Sequence, residues 1–259
     1  MQQILDTLVA GQIYTFMLVF VRVGSAIMIM PTIGDSFVSA NIRLLFALGL
    51  SVVVTPPLAP YIPQVSTIGD GFMVLVCMEA VIGLFIGTVA RILISALDVA
   101  GMFISMQIGL ASAQVFNPSM AAQGSIIGAM LSVTGVVLLF ATNMHHLLIY
   151  AIFDSYQSFP PGALPAAEGM AQMITMSVAK SFAIGFQLAL PFIMVALMTY
   201  IAMGVLARVM PQIQVFILAI PVQILLGLIT LMLVFSTLFL VWIQYFEEGM
   251  MFFISSSAG

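Results

Sequence analysis

The sequence predicts an all-α, polytopic membrane protein, and three observations predict it. Of the 259 residues, 63% are hydrophobic and only 5% are charged, with a mean hydropathy of +1.26, whereas a soluble domain is roughly a quarter charged. The apolar residues gather into about six hydrophobic segments, of which most match the ~20 residues needed to cross a bilayer. These run approximately over 12–30, 44–58, 71–90, 125–142, 182–206 and 212–244, the second being short. Thirdly, the segments carry prolines, glycines and single ionisable side chains, which a simple anchor would not tolerate and which suit a protein that lines or closes a passage.

Taken in order, the first segment reads FMLVFVRVGSAIMIM and holds Arg22 at its middle. No Lys or Arg precedes Arg22, and Asp6 is the first charge, so the segment lacks the basic flank of a cleavable signal and is expected to remain. The third segment, VLVCMEAVIGLF, holds Glu79, and Cys77 beside it reads as a small buried hydrophobe. Intramembrane charges cost several kcal/mol and must be paired, line water or lie outside the hydrocarbon. For Arg22 and Glu79 a structural ion pair and a pathway role both stay open. From Arg91 the chain runs RILISALDVAGMFISMQ, where Arg91, Ser95, Asp98 and Ser105 fall near one helical face. That stripe suits a subunit contact, a wet lumen or a helix lying at the membrane interface.

Two small-xxx-small patterns, Gly83 to Gly87 and Gly124 to Gly128, read as close helix packing. Three proline-rich or polar stretches read as loops: 55–71 with Pro56, Pro57, Pro60 and Pro63; 116–124; and 154–169 with Pro160, Pro161 and Pro165. The last apolar run, RVMPQIQVFILAIPVQILLGLIT, follows Arg208 and places Gln212, Gln223 and Thr230 near one face if the helix continues through Pro221. Arg43, Arg91 and Arg208 fall on one side of the segments, Asp70, Asp154, Glu168, Glu247 and Glu248 on the other. The positive-inside rule then puts both termini outside the cytoplasm.

Several function classes are excluded or disfavoured. A formal charge of −4 with five scattered basic residues gives no phosphate-binding patch, so nucleic acid is not a partner. No phosphate-binding glycine loop, nucleophile elbow or HExxH pattern occurs, so no enzyme and no cofactor is expected. His145 and His146 are adjacent and cannot share a helix face as metal ligands do at i, i+4. No metal site is expected. Of the twenty-one methionines, most are core filling, while Met106 and Met120 suit a flexible seal.

Four stretches in sequence order carry a resemblance: RVGSAIMIMPTIGDSFVSANIRLLFALGLS, MEAVIGLFIGTVARILISALDVAGMFISMQIGLASAQVFNPS, NMHHLLIYAIFDSYQSFPPGALP and LALPFIMVALMTYIAMGVLARVMPQIQVFILAIPVQILLGLI. Together they span nearly the whole chain and resemble the FliR family of the flagellar type III export gate and its injectisome counterparts. The resemblance implies kinked helical hairpins within one export-gate domain: a FliP-like part over 1–150, a connection over 151–181 and a FliQ-like hairpin over 182–259. It implies FliP-like and FliQ-like subunits in a hetero-oligomeric gate, an FlhB-like subunit around them, membrane lipid, and unfolded flagellar proteins as cargo. Location in the bacterial inner membrane at the flagellar basal body follows from the same likeness. It also implies a plug between Gly109 and Gly124, with Phe116 filling the bore, Asn117 and Pro118 turning the chain, and Gln114, Val115 and Met120 beside them. Arg22, Glu79, Arg91, Asp98, Arg208, Gln212 and Gln223 would then be buried in protein or touch other subunits, and Gly83, Gly87 and Gly128 would pack helices. The competing reading is a self-sufficient ion or small-molecule transporter using Arg22, Glu79 and Asp98.

Overall fold

The computed structural model describes residues 2–35, 38–62, 71–110, 125–162, 167–210 and 215–255. Seven α-helices make up the ordered elements among them: α1 (Gln2–Ile29), α2 (Ala40–Leu58), α3 (Phe72–Gln107), α4 (Ile126–Ala141), α5 (His145–Ser158), α6 (Ala167–Val209) and α7 (Val215–Ser255). A 3-10 turn at Ala59–Tyr61 extends α2, and no strand occurs among the described residues. The protein is therefore all-α. Five helices are long and apolar enough to cross a membrane, and a sixth span arises if α4 and α5, bent by 75° at their junction, count as one.

Local chemistry sets where helices stop. Pro31 disfavours helix at the residue before it, and α1 ends there, with Met30 N–H closing the last bond to Ala26 O at 2.8 Å. At the α4–α5 bend Asn143 takes φ 60°, the left-handed region that Asn tolerates better than most residues.

Several loop and segment boundaries are corrected. Pro56 and Pro57 lie inside the last turn of α2, where they deprive only the carbonyls of the exposed Val52 and Val53 of helical partners. Asp154 to Ser158 complete α5, and α6 begins at Ala167, well before the apolar segment at 182–206, so that Lys180 is interior to the helix. Apolar windows mark where hydropathy is high; the helices continue through Ser, Thr, Gln and Lys because those residues break hydropathy without breaking backbone geometry. Pro191 and Pro221 are likewise accommodated within α6 and α7. Cys77, expected to be buried, faces outward.

The chain divides into two compact units, the first made of Met1–Ile92, Leu139–Ser177 and Glu247–Gly259, the second of Leu93–Leu138 and Val178–Phe246. In the first unit Leu18, Val23, Ala26, Ile82, Phe85, Ile86 and Ala151 are buried. In the second the buried core includes Leu97, Ala100, Ile104, Leu131, Phe192 and Trp242.

Candidate functional site

The first unit is organised by two stripes at one-turn spacing. On α3, Glu79, Gly83 and Gly87 recur every four residues and so share a face. That face meets α1 at Arg22 and Ala26. A Cβ on Gly87 would stand 2.7 Å from Ala26 O, and one on Gly83 would overlap Arg22 O and Ser25 Oγ. Only glycine permits this approach, which brings Glu79 one turn away into reach of Arg22.

Arg22 is fully buried and so is Glu79. The guanidinium grips the carboxylate twice, Nε to Oε2 at 2.5 Å and Nη2 to Oε1 at 2.9 Å. It also donates from Nη1 to Ser155 Oγ at 3.2 Å and from Nη2 to Phe159 O at 2.9 Å. Its plane lies 3.8 Å from the Tyr156 ring centroid, a cation–π contact strengthened by desolvation. Four donors are thereby used, and the fork geometry suits Arg and not Lys. Ser155, Tyr156 and Phe159 were missed at the level of sequence because they lay in a stretch read as loop. The available signal was the four-residue spacing of Glu79, Gly83 and Gly87, which aligns the carboxylate with the packing glycines.

Arg91, also in the first unit, is about half exposed. It pairs with Asp35 through Nη2 and Oδ1 at 2.8 Å and donates from Nη1 to Ile29 O at 3.0 Å. Asp35 in turn accepts from Thr32 N–H at 3.1 Å, whose residue sits at φ 82°. This ties down the turn after α1.

In the second unit the polar contacts are made largely by hydroxyls and amides. Asp98 accepts a hydrogen bond from Ser132 Oγ, and Ser95 Oγ meets Ser181 Oγ at 3.3 Å. Thus Arg91, Ser95, Asp98 and Ser105, though spaced along one helix, have different partners. Gly101 and Gly128 bring α3 and α4 together so closely that a Cβ on Gly101 would overlap the Gly128 backbone. Ser125 caps α4 by accepting Gly128 N–H at 3.0 Å, donates to Gly101 O at 2.9 Å and meets Ser105 Oγ at 2.6 Å. Gly101, Ser125 and Ser132 were missed by sequence reading.

Gln223 is buried in α7. Its Nε2 donates to Gln107 O at the end of α3 and to Tyr200 Oη, the latter at 3.2 Å. Thr230 instead donates to its own helix at Leu226 O, 2.8 Å away. Arg208 is exposed in the last turn of α6, where the helix dipole favours a cation. Gly109 takes φ +79° just beyond α3, and Met106 is exposed. Gln114, Val115, Phe116, Asn117, Pro118, Met120, Gly124 and Gln212 lie outside the described residues. Among the described residues no three His, Cys, Asp or Glu side chains group as metal ligands.

Comparison with known proteins places this architecture. The family model for bacterial export proteins, family 1, matches residues 13–249. The chain is 40% identical over 240 residues to the flagellar biosynthetic protein FliR of Caulobacter vibrioides, covering 92% of this chain and 95% of that protein. It is 32% identical to FliR of Bacillus subtilis, over 87% of this chain and 88% of the relative. The Yop proteins translocation protein T of Yersinia pestis is 26% identical over 83% of this chain and 84% of its own length. A match over nearly the whole length, with five to six apolar helices beneath it, has one meaning: the chain belongs to the bacterial export proteins, family 1, the family of the flagellar biosynthetic protein FliR.

Proposed function

We propose that this membrane-embedded flagellar export protein is a subunit of the export gate. It forms part of the wall and the closure of a channel through which unfolded flagellar proteins cross the bacterial inner membrane. FliP-like and FliQ-like subunits complete the channel, an FlhB-like subunit lies around it, and the chain itself catalyses no reaction. The 1–150 and 182–259 regions take the FliP-like and FliQ-like places, with 151–181 between them.

The observation that carries this reading is helix length set against exposed apolar surface. Helices α3, α6 and α7 have 36, 43 and 41 residues. At 1.5 Å per residue they are about 54, 64 and 61 Å long, against a hydrocarbon core of about 30 Å. Yet large apolar side chains remain exposed along them, from Met73 to Met106, Met176 to Val209, and Ile220 to Phe252. Helices held upright would extend beyond the lipid with such surface uncovered, and other protein subunits are the fitting cover.

The plug reading assigns closure to 109–124, with Phe116 in the bore, Gln114, Val115, Asn117, Pro118 and Met120 around it, and Gly109 and Gly124 as its ends. Shortening 116–122 in cells that assemble the apparatus should admit a membrane-impermeant dye. Unchanged permeability with normal assembly rejects the plug. Purification from native membranes should yield the chain with its FliP-like and FliQ-like partners, and recovery as a lone monomer counts against the gate. The transporter alternative gains nothing from the ionisable groups. Arg22 and Glu79 are spent on each other, and Asp98 is bonded to Ser132.

A further inference from the structure

The end of α3 is held in an unusual way. A helix leaves its last four carbonyls without intrahelical donors, and each needs a partner from elsewhere. Here the carbonyl of Gln107, the last residue of α3, is capped from another helix by the Gln223 carboxamide. The same Nε2 reaches Tyr200 Oη of α6 at 3.2 Å, so one side chain of α7 spans two other helices. One turn further along α7, Gly227 leaves room for Ile108: a Cβ there would overlap the Ile108 side chain, lying 2.6 Å from its Cβ. The next residue, Gly109, adopts φ +79°, and a Cβ on it would lie 3.8 Å from Gln223 Oε1. Gln223 and Gly227 thus form a receptor for the three residues at which α3 stops and the chain changes direction.

Two features make this receptor releasable. Its polar contacts are neutral hydrogen bonds, each of modest net strength, unlike a bidentate buried ion pair. Pro221, two residues before Gln223, has no N–H to bond the carbonyl of Ile217. Helix α7 therefore has a built-in point of flexion next to the receptor.

The geometry points to a latch: Gln223 and Gly227 hold the Gln107–Gly109 end of α3 in the closed state of the gate and let go when the channel opens. This rests on the gate reading and adds to it the positioning residues of closure, all of them on described helices. Gln223 acts through the position of α3 and need not touch cargo.

Two variants test it in cells carrying the full apparatus. With Gln223→Leu, a lost neutral hydrogen-bond pair should raise resting entry of propidium about five- to tenfold by shifting the open population. In a Cys77→Ala background, Ile108→Cys with Gly227→Cys removes the side-chain overlap and sets the two sulfurs within bridging range after a shift of about 1 Å. Oxidation should then stop secretion of flagellar protein, and a membrane-permeant reductant should restore it. The latch is overturned if the cross-link forms and secretion continues unchanged, or if Gln223→Leu accumulates normally and excludes propidium as the parent does. The 116–122 deletion run in parallel separates the two levels. A leak there with a tight Gln223→Leu gate condemns the latch alone, whereas no leak in either rejects the plug and the latch together, and recovery of the chain from native membranes as a lone monomer is what rejects the gate reading.

Discussion

The two units solve the same problem, holding polar groups among apolar helices, by opposite chemistry. The first concentrates charge: Arg22 and Glu79 neutralise each other, and Ser155, Tyr156 and the Phe159 carbonyl complete the arginine's surroundings. Beside the Asp98 carboxylate held by Ser132, the second spreads neutral contacts over hydroxyls, an amide, an indole and glycines, among them Trp242 Nε1–H to Leu93 O at 3.2 Å and Ser125 to Gly101 O at 2.9 Å. A buried ion pair has nearly all-or-none energetics, because removing one member strands the other. Neutral contacts of about 1 kcal/mol each can be lost singly. Loss of a single partner should therefore act on the first unit nearly all at once and on the second in small steps.

The largest expected effect tests that asymmetry directly. Arg22→Met leaves a buried carboxylate and should cost about 3–5 kcal/mol, as should Glu79→Leu with the charge reversed. Both should abolish accumulation of the protein or sharply lower the thermal midpoint of the purified complex. The double variant Arg22→Met with Glu79→Leu should recover a large part of the loss, since no stranded charge remains. Single variants as stable as the parent would show that water reaches the pair, and the contrast between the units would collapse.

A smaller effect is expected at the glycine crossing of the second unit. Gly101→Ala puts a methyl group against the Gly128 backbone, which cannot rotate away, and should cost about 1–3 kcal/mol. Gly24→Ala supplies the control. It lies within α1 with nothing inside 4 Å of the added Cβ, and should be neutral or stabilising by up to about 1 kcal/mol. Thermal midpoints of the two purified variants check this, and equal behaviour would mean that the α3–α4 crossing yields easily.

What the sequence revealed follows from which physical signals are local. Hydropathy found the apolar helices, and intramembrane charge singled out Arg22 and Glu79, because the cost of an ion in hydrocarbon does not depend on knowing its partner. Partners were harder. Ser155 and Phe159 lie 133 and 137 residues from Arg22, and prolines nearby made their region resemble a loop. Gly128 was visible as half of a Gly-xxx-Gly pattern, but Gly101, its neighbour in space, has no second glycine at that spacing, only Ser105. The outward face of Cys77 was misread because residue type reports average burial, whereas a helix in an assembly can turn an apolar face outward.

The smallest expected effect lies at the edge of the first unit and tests whether charge or burial gives that unit its rigidity. Arg91 and Asp35 make an ion pair 2.8 Å long, with side chains 51% and 23% exposed. Were charge alone decisive, it would rival the Arg22 pair. Exposure lets solvent screen it, so Arg91→Ala should cost only about 0.2–1 kcal/mol, and the loss should shrink further in high salt. Arg91→Lys should retain part of the attraction without the second donor to Ile29 O. A double-mutant cycle with Asp35→Asn, read by thermal midpoint at low and high salt, isolates the pair from the helix-end hydrogen bond. A coupling energy as large as that of Arg22 with Glu79, and insensitive to salt, would mean that this turn is shielded in the assembled apparatus. The boundary of the rigid unit would then have to be drawn outward to include it.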